Sequence, residues 1–333
     1  LRPLCAVLAA GHGTYTIDGN EQMRKRPIGD LVRALRQLGV QIECRNSNYP
    51  PVTIHADGVA GGNATISGSV SSQFVSALLM MAPLIEPGNR LTIELKNDPV
   101  SKPYIDLTLF LMKDFGVDVE RDGFIRFIID SGQYDNPGSY YIEGDATAAT
   151  YFLAAGALPG CGPVRVEGLG ADSIQGDVEF TELLMDMGAV ITLGPDWIES
   201  RGPAAGEKLK ALNVDMNAMP DAAMTLAVMA LFCDGKTSIR NIANLRVKES
   251  ERIRGLKTEL EKFGARVKEE KDALHITPPA KLKSAAVDTY QDHRMAMAFA
   301  LAAYGADIQI KNPSCISKTY PQFFRDFLPL CQH

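Results

Sequence analysis

The chain has 333 residues, 46% of them apolar and 22% charged, with a formal net charge of −6. That is enough apolar mass for two domains, too hydrophobic for a disordered chain, and too acidic for nonspecific nucleic-acid binding, so an anionic ligand would have to be held by a local basic cluster. No apolar run approaches the roughly 20 residues that span a bilayer, no signal peptide is visible, the six cysteines form no CxxC and fit reduced thiols in a cytosolic protein, and the five histidines show no metal spacing.

The opening "LRPLCAVLAA" lacks a starting Met and reads as the inside of an apolar helix, so the chain is expected to begin partway through a larger protein. Two kinds of helix then alternate. Amphipathic spacing that ends in Gly and runs into a strand marks "LVRALRQLGVQIE", "LTLFLMKDFGVDVE", "FTELLMDMGAVIT" and "LKTELEKFGARVK". Their stops are Gly39, Gly116, Gly188 and Gly264, at intervals of 77, 72 and 76 residues. Interleaved with these are "SSQFVSALLMMAPL", "DATAATYFLAAGAL", "DAAMTLAVMALFCDG" and "HRMAMAFALAAYG". Each opens polar and is then apolar on all sides, the signature of a buried helix. They begin at Ser71, Asp145, Asp221 and His293, at intervals of 74, 76 and 72.

Short alternating strands fill the gaps, from "QIECR" and "VTIHA" to "LHITP" and "IQIKN". Each copy therefore holds an amphipathic helix, a buried helix and about four strands, and the period is too long for a solenoid. The expected fold class is α/β, with sheets packed around central buried helices. A natural divide falls near "NPGSYYIEGD". It gives a first domain over 1–142, incomplete at about two repeats, and a second over 143–333 with two and a half to three. If the two are pseudo-equivalent, an absent N-terminal portion holds most of one copy.

The conspicuous polar residues stand where buried helices begin, and a helix N-terminus offers free N–H groups and partial positive charge to an anion. The plain alternative at each position is an N-cap. "NLRVKESERIR" packs Arg246, Lys248, Arg252 and Arg254 around Glu249 and Glu251. With a helix starting near Glu249, Lys248 and Arg252 share a face. This is either a solvated charged helix or an anion-binding site with a carboxylate for proton transfer. "QDHRMAM" sets Asp292, His293 and Arg294 directly before an apolar helix, as cap plus surface charge or as catalytic groups. "MPDAAMT" offers Asp221 as N-cap or as a poorly solvated general base. "SVSSQF" offers Ser71, Ser72 and Gln73, "DPVSKPYID" offers Ser101, Lys102 and Tyr104, "MRKRPIGDL" offers Arg24, Lys25 and Arg26, and "SCISKTYPQFF" offers Lys318. No P-loop, Rossmann fingerprint or GxSxG occurs.

In this order and spacing, "RPIG", "GSVSSQF", "SKPYID", "EGDA", "PDAAMT", "RVKESERI", "YQDHRMAM" and "SKTYP" resemble the 3-phosphoshikimate 1-carboxyvinyltransferase (EPSP synthase) family, and the likeness runs through the whole chain. The resemblance implies two domains of βαβαββ repeats with central helices, an inside-out α/β barrel architecture, closing on substrates held between them. It implies transfer of the enolpyruvyl group of phosphoenolpyruvate to the 5-hydroxyl of shikimate 3-phosphate with release of phosphate, in the shikimate pathway to chorismate and aromatic amino acids. No metal or organic cofactor, nucleic acid or membrane takes part, and a cytoplasmic monomer is expected. Carried over residue by residue, the shikimate-phosphate site matches Ser71, Ser72, Gln73, Ser101, Tyr104, Asp221, Asn244 and Lys248. The phosphoenolpyruvate site matches Arg26, Gln73, Arg252, Arg294 and Lys318. Asp221 would take the 5-hydroxyl proton, Glu249 would move the proton at the methylene carbon, and His293 would lie beside Glu249 and the phosphate end.

The pattern departs in two places. The family carries a Lys-Ser pair with a following Arg, and then an "NAGT" segment, and this chain starts just after the latter. Gln22 also stands where the family often has Arg. Two alternatives follow: the sister UDP-N-acetylglucosamine enolpyruvyl transferase, which uses a catalytic Cys on a loop, and a non-catalytic fragment, inactive alone for want of the N-terminal lysine.

Overall fold

The computed structural model describes residues 1–331. The chain divides into two compact units, Leu1–Tyr141 and Ile142–His333. Each has its own apolar core.

In the first unit, helix α1 (Arg2–Ala9) leads to strand β1 (His12–Ile17), a short helix α2 (Glu21–Arg24), helix α3 (Gly29–Gln37) and strands β2 (Gln41–Arg45) and β3 (Tyr49–Asp57). These strands form an antiparallel sheet in the order β1-β3-β2. Next come β4 (Gly62–Ile66), α4 (Ser72–Met81), β5 (Arg90–Leu95), α5 (Lys102–Asp114), β6 (Glu120–Asp122) and β7 (Arg126–Asp130), whose sheet runs β4-β5-β7-β6. The pair β4 and β5 is parallel, with α4 as its crossover, because a parallel pair cannot be joined by a tight turn. In β3 alternate residues are buried, so one face lies on the core.

The second unit repeats the scheme. It starts with α6 (Ala146–Ala157), β8 (Val164–Glu167), α7 (Phe180–Asp186), β9 (Val190–Leu193) and β10 (Trp197–Arg201), in the order β8-β10-β9. Then β11 (Asn213–Asp215), α8 (Ala223–Met229), β12 (Thr237–Arg240), α9 (Arg252–Lys262), β13 (Arg266–Glu269) and β14 (Leu274–Thr277) form the order β11-β12-β14-β13. The first two of these strands are again parallel and again joined by an apolar helix. Strand β15 (Ala285–Val287), helix α10 (His293–Phe299) and strand β16 (Ile308–Ile310) make a third parallel crossover, followed by a short α11 (Phe323–Phe327). The fold is thus mixed α/β with helices at the centre of each unit, and no sheet among the described residues closes into a barrel.

The two helix types expected from the sequence are present. Helices α4, α6, α8 and α10 are buried around nearly their whole circumference. Helices α3, α5, α7 and α9 each run into a glycine with positive φ: Gly39 (86°), Gly116 (80°), Gly188 (104°) and Gly264 (92°). This left-handed stop turns the chain into the next strand.

At Gly39 an added Cβ would meet nothing within 4 Å. A Gly39→Ala substitution therefore isolates the backbone cost. The expected loss is roughly 1–2 kcal/mol, read as a lower urea midpoint at unchanged m-value. An unchanged midpoint would mean the stop does not depend on that conformation.

Candidate active site

In the second unit three chain segments converge on one guanidinium. Arg252, the first residue of α9, is completely buried. Its Nε donates to Asp292 Oδ2 at 2.7 Å, and Nη2 to Asp292 Oδ1 at 3.2 Å and to Glu249 Oε2 at 2.9 Å. Its Nη1 donates to Asp221 Oδ1 at 2.7 Å. A buried Arg is tolerated only when its donors are matched by anions, and here all three nitrogens are engaged. Burial alone would lower the affinity of this guanidinium for its proton, but Asp292, Asp221 and Glu249 outweigh it and raise it further.

The same carboxylates hold three more cations. Asp221 pairs with Arg294 at 3.1 Å and with Lys248 at 3.4 Å, and Glu249 pairs with Lys318. Burial pushes the Asp221 carboxyl up, yet Arg294, Lys248 and Arg252 together hold it well below the usual carboxylate range. Burial pushes Lys248 down, and Asp221 only partly offsets this. Arg294 is steadied from another side by the buried Tyr151 hydroxyl on α6, 3.3 Å away. Four cations thus face three carboxylates, an excess of one positive charge.

Asp292 was legible only as part of a charged motif. The structure makes it the fully buried N-cap of α10 rather than surface charge: it accepts from the Arg294 backbone N–H at 3.0 Å, from the Ser250 hydroxyl at 3.0 Å, and twice from Arg252. His293 is almost fully buried, with Nδ1 3.6 Å from Asp292. Burial, reinforced by Arg294, lowers its pKa to about 4, so the ring is neutral at neutral pH.

Two readings of the charged stretch change. Lys248 and Glu249 do not share a helical face with Arg252. The helix begins only at Arg252, capped by Glu251, whose side chain accepts from the Arg254 N–H at 2.7 Å. Lys248 and Glu249 lie in the preceding turn and reach the cluster by its curvature. The remaining charges face away: Arg246 pairs with Glu251 (2.6 Å) and Glu269 (2.9 Å), and Arg254 with Glu269 (3.2 Å). Asp221 is not an N-cap either, since α8 starts two residues later from Ala222 without a side-chain cap. Asp145, by contrast, is a plain N-cap, accepting from the Ala148 N–H at 3.1 Å. Asn244 is buried on the 3₁₀ turn Ala243–Val247, just before Lys248.

The first unit gathers a second set. Ser71 caps α4, accepting from the Gln73 N–H at 3.3 Å; Ser72 is buried and Gln73 exposed. Ser101 is buried in the left-handed region (φ 57°) at the start of α5, with Tyr104 a turn later donating its N–H to the Ser101 carbonyl. Arg26 is half-buried near the Leu1 amine, while Arg24 and Lys25 pair on the surface with Asp18 and Glu21. The sequence reading missed Arg2. Its Nη1 donates to Gln73 Oε1 at 2.8 Å and to Ser71 Oγ at 3.3 Å, its Nη2 to the Pro27 carbonyl at 2.9 Å, and it stacks 4.8 Å from the Phe74 ring centre. Its signal was visible: it is the single charge in an otherwise apolar opening helix.

A cavity of about 600 Å³ elsewhere in the second unit is lined by Asp145, Phe152, Arg165, Tyr320 and Asp326, and none of the clustered charges lines it.

Comparison with known proteins gives the class first. An EPSP synthase structure from Acinetobacter baumannii superposes with a TM-score of 0.75 at 23% identity, covering 97% of this chain and 75% of that one, so the two share a fold. The model of the family "EPSP synthase (3-phosphoshikimate 1-carboxyvinyltransferase)" matches residues 1–327. The 3-phosphoshikimate 1-carboxyvinyltransferase of Shewanella denitrificans is 51% identical over 100% of this chain and 77% of that protein, and that of Laribacter hongkongensis is 52% identical over 99% and 77%. The chain belongs to the EPSP synthase family of transferases. The UDP-N-acetylglucosamine alternative is not favoured, and burial raises the pKa of all six thiols, the reverse of what a nucleophilic Cys requires.

Two outcomes test the cluster. Arg252→Met strips three buried carboxylates of their shared partner and is expected to cost roughly 3–5 kcal/mol in urea unfolding. For His293 the ordinary imidazole value is near 6.5 and the folded value about 4. As pH falls from 6.5 to 4, the unfolded chain takes up a proton that the folded chain refuses, so stability falls through that window. His293→Asn is expected to flatten this slope relative to the wild-type chain; parallel pH profiles would mean His293 is not the group responsible.

Proposed function

We propose that this chain transfers the enolpyruvyl group of phosphoenolpyruvate to the 5-hydroxyl of shikimate 3-phosphate and releases phosphate, through a tetrahedral intermediate. Family membership supports the reaction. The observation that carries the residue assignment is the sharing of Asp221 and Glu249 among Arg252, Lys248, Arg294 and Lys318.

Both substrates are polyanions, and Arg forks suit carboxylate and phosphate. The site's own carboxylates balance three of these four positive charges. An arriving phosphate or carboxylate competes for Lys248, Arg294 and Lys318, and each cation diverted leaves Asp221 or Glu249 less stabilised as an anion. Its proton affinity then rises. Substrate binding thus converts weak bases into groups able to move protons near neutral pH.

In the addition, the 5-hydroxyl oxygen bonds to C2 of phosphoenolpyruvate, Asp221 takes the hydroxyl proton, and Glu249 delivers a proton to C3. In the elimination, C3 returns a proton to Glu249, the double bond re-forms and the C2–phosphate bond breaks, the phosphate leaving with the electron pair of that bond and the proton that Asp221 took. Arg294 holds phosphoenolpyruvate, with Lys318 and Arg26 contributing charge, and the neutral His293 lies towards the phosphate end. Arg252, expected from the resemblance to bind it too, is fully engaged by Asp221, Glu249 and Asp292 and acts by fixing their placement. Asn244 and Lys248 serve shikimate 3-phosphate, as do Ser71, Ser72, Gln73, Ser101 and Tyr104 of the first unit, with Gln73 serving both substrates. Arg2 joins this set through its bond to Gln73. The reading includes a cytoplasmic monomer, which size exclusion checks.

The test is phosphate release from phosphoenolpyruvate with shikimate 3-phosphate or UDP-N-acetylglucosamine as acceptor. Release is expected with the former alone. Asp221→Asn and Glu249→Gln are each expected to lower kcat about 100-fold or more. Normal turnover in either variant would overturn that residue's role.

A further inference from the structure

The Asp292–Arg294 corner is reached through two consecutive left-handed residues, Tyr290 (φ 53°) and Gln291 (φ 56°). Neither is Gly, Asn or Asp, the residues that adopt this region readily. Such a turn persists only where its surroundings hold it.

Helix α9 supplies the hold. Glu259 lies seven residues after Arg252, on the same face two turns along, and is completely buried. Its Oε1 accepts from the Tyr290 hydroxyl at 2.7 Å. Its Oε2 accepts from the Asp288 N–H at 3.0 Å and from Lys262 Nζ at 2.6 Å. Lys262 also donates to the Ala286 carbonyl at 3.1 Å and pairs with Asp288 at 2.8 Å. The Tyr290 ring packs against Gly255 on the same face, where an added Cβ would stand 3.5 Å from it. One helix therefore grips the chain twice: Glu259 and Lys262 hold residues 286–290, and Arg252 holds Asp292. A buried carboxylate that only satisfied a loop would need no partner beyond Asp288 and Lys262. The third bond, to Tyr290, acts on the strained turn itself.

We propose that Glu259 and Tyr290 are positioning residues for the reaction: their hydrogen bond sets the turn that carries Asp292, His293 and Arg294, and so aims Arg294 at the anionic substrate. The inference rests on the reading of the site given above.

Tyr290→Phe removes only the hydroxyl, and Tyr290 is 43% exposed, so the ring and the fold are retained. The expected result is a five- to tenfold rise in KM for phosphoenolpyruvate, a change under twofold in KM for shikimate 3-phosphate, and an unchanged urea midpoint. Glu259→Gln leaves one oxygen for three donors and removes the ion pair with Lys262, so it is expected to raise KM for phosphoenolpyruvate at least as much as Tyr290→Phe and, unlike it, to lower the urea midpoint. A readout free of substrate is the His293 titration by NMR, its signal identified by loss in His293→Asn. In Tyr290→Phe it is expected to move from about 4 towards its ordinary value as the corner admits water. An unchanged KM for phosphoenolpyruvate, both KM values and the midpoint shifting together, or an unmoved His293 titration overturns the proposal. If the wild-type chain turns over neither acceptor, the activity reading fails, and the His293 titration alone decides the positioning role.

Discussion

Arg252 has no access to water and is bound to Asp221, Glu249 and Asp292. The arrangement of the second unit's site depends on it. Charges taken out of water are tolerable only when each finds an opposite charge at hydrogen-bond distance, so the three carboxylates fix the guanidinium and it fixes them. Asp221 precedes α8, Glu249 precedes α9 and Asp292 caps α10. One side chain thereby sets the mutual placement of three segments that lie up to 71 residues apart in sequence, between Asp221 and Asp292.

That arrangement also prepares the site electrically. The substrates proposed for it are anions, and an open cluster of cations would repel itself. Sharing Asp221 among Arg252, Arg294 and Lys248, and Glu249 between Arg252 and Lys318, removes the repulsion while keeping the cations close to one another. The same sharing holds the Asp221 carboxyl well below the usual carboxylate range despite its burial. In the reaction proposed above, binding an anion and gaining proton affinity would be one event.

The repeat architecture explains why polar groups gather where buried helices begin. Each parallel strand pair needs a crossover helix, and in every copy with such a pair that helix is the apolar one. Its N-terminus needs partners for its unpaired N–H groups. In some copies a side chain does only that, as Asp145 does for α6. In α10 the capping carboxylate also binds Arg252, so one residue serves the helix and the site together. Position at a helix start therefore marks candidates without separating caps from catalytic groups. Their partners separate them.

The local features were legible in the sequence because they depend on near neighbours. Apolar periodicity separated the two helix types, the glycines at 39, 116, 188 and 264 marked their stops, and motif order pointed to the family. What failed to show was set by partners distant along the chain. "VKESERIR" looked like a helical face because spacing alone cannot tell a helix from the turn before it. Arg2 stands out in the sequence as the single charge of an apolar helix, but its partners, Ser71 and Gln73, lie about 70 residues on, so spacing does not connect them. Glu259 reads as an ordinary acid and Asp292 as either a cap or a catalytic group, since the burial that decides their roles exists only after Arg252 and Tyr290 have been brought to them. The sequence by itself determined the helices, their stops and the stock of charges; the tertiary structure decided which charges pair, because ion pairing depends on distance through space and on exclusion of water, and neither is a property of sequence spacing.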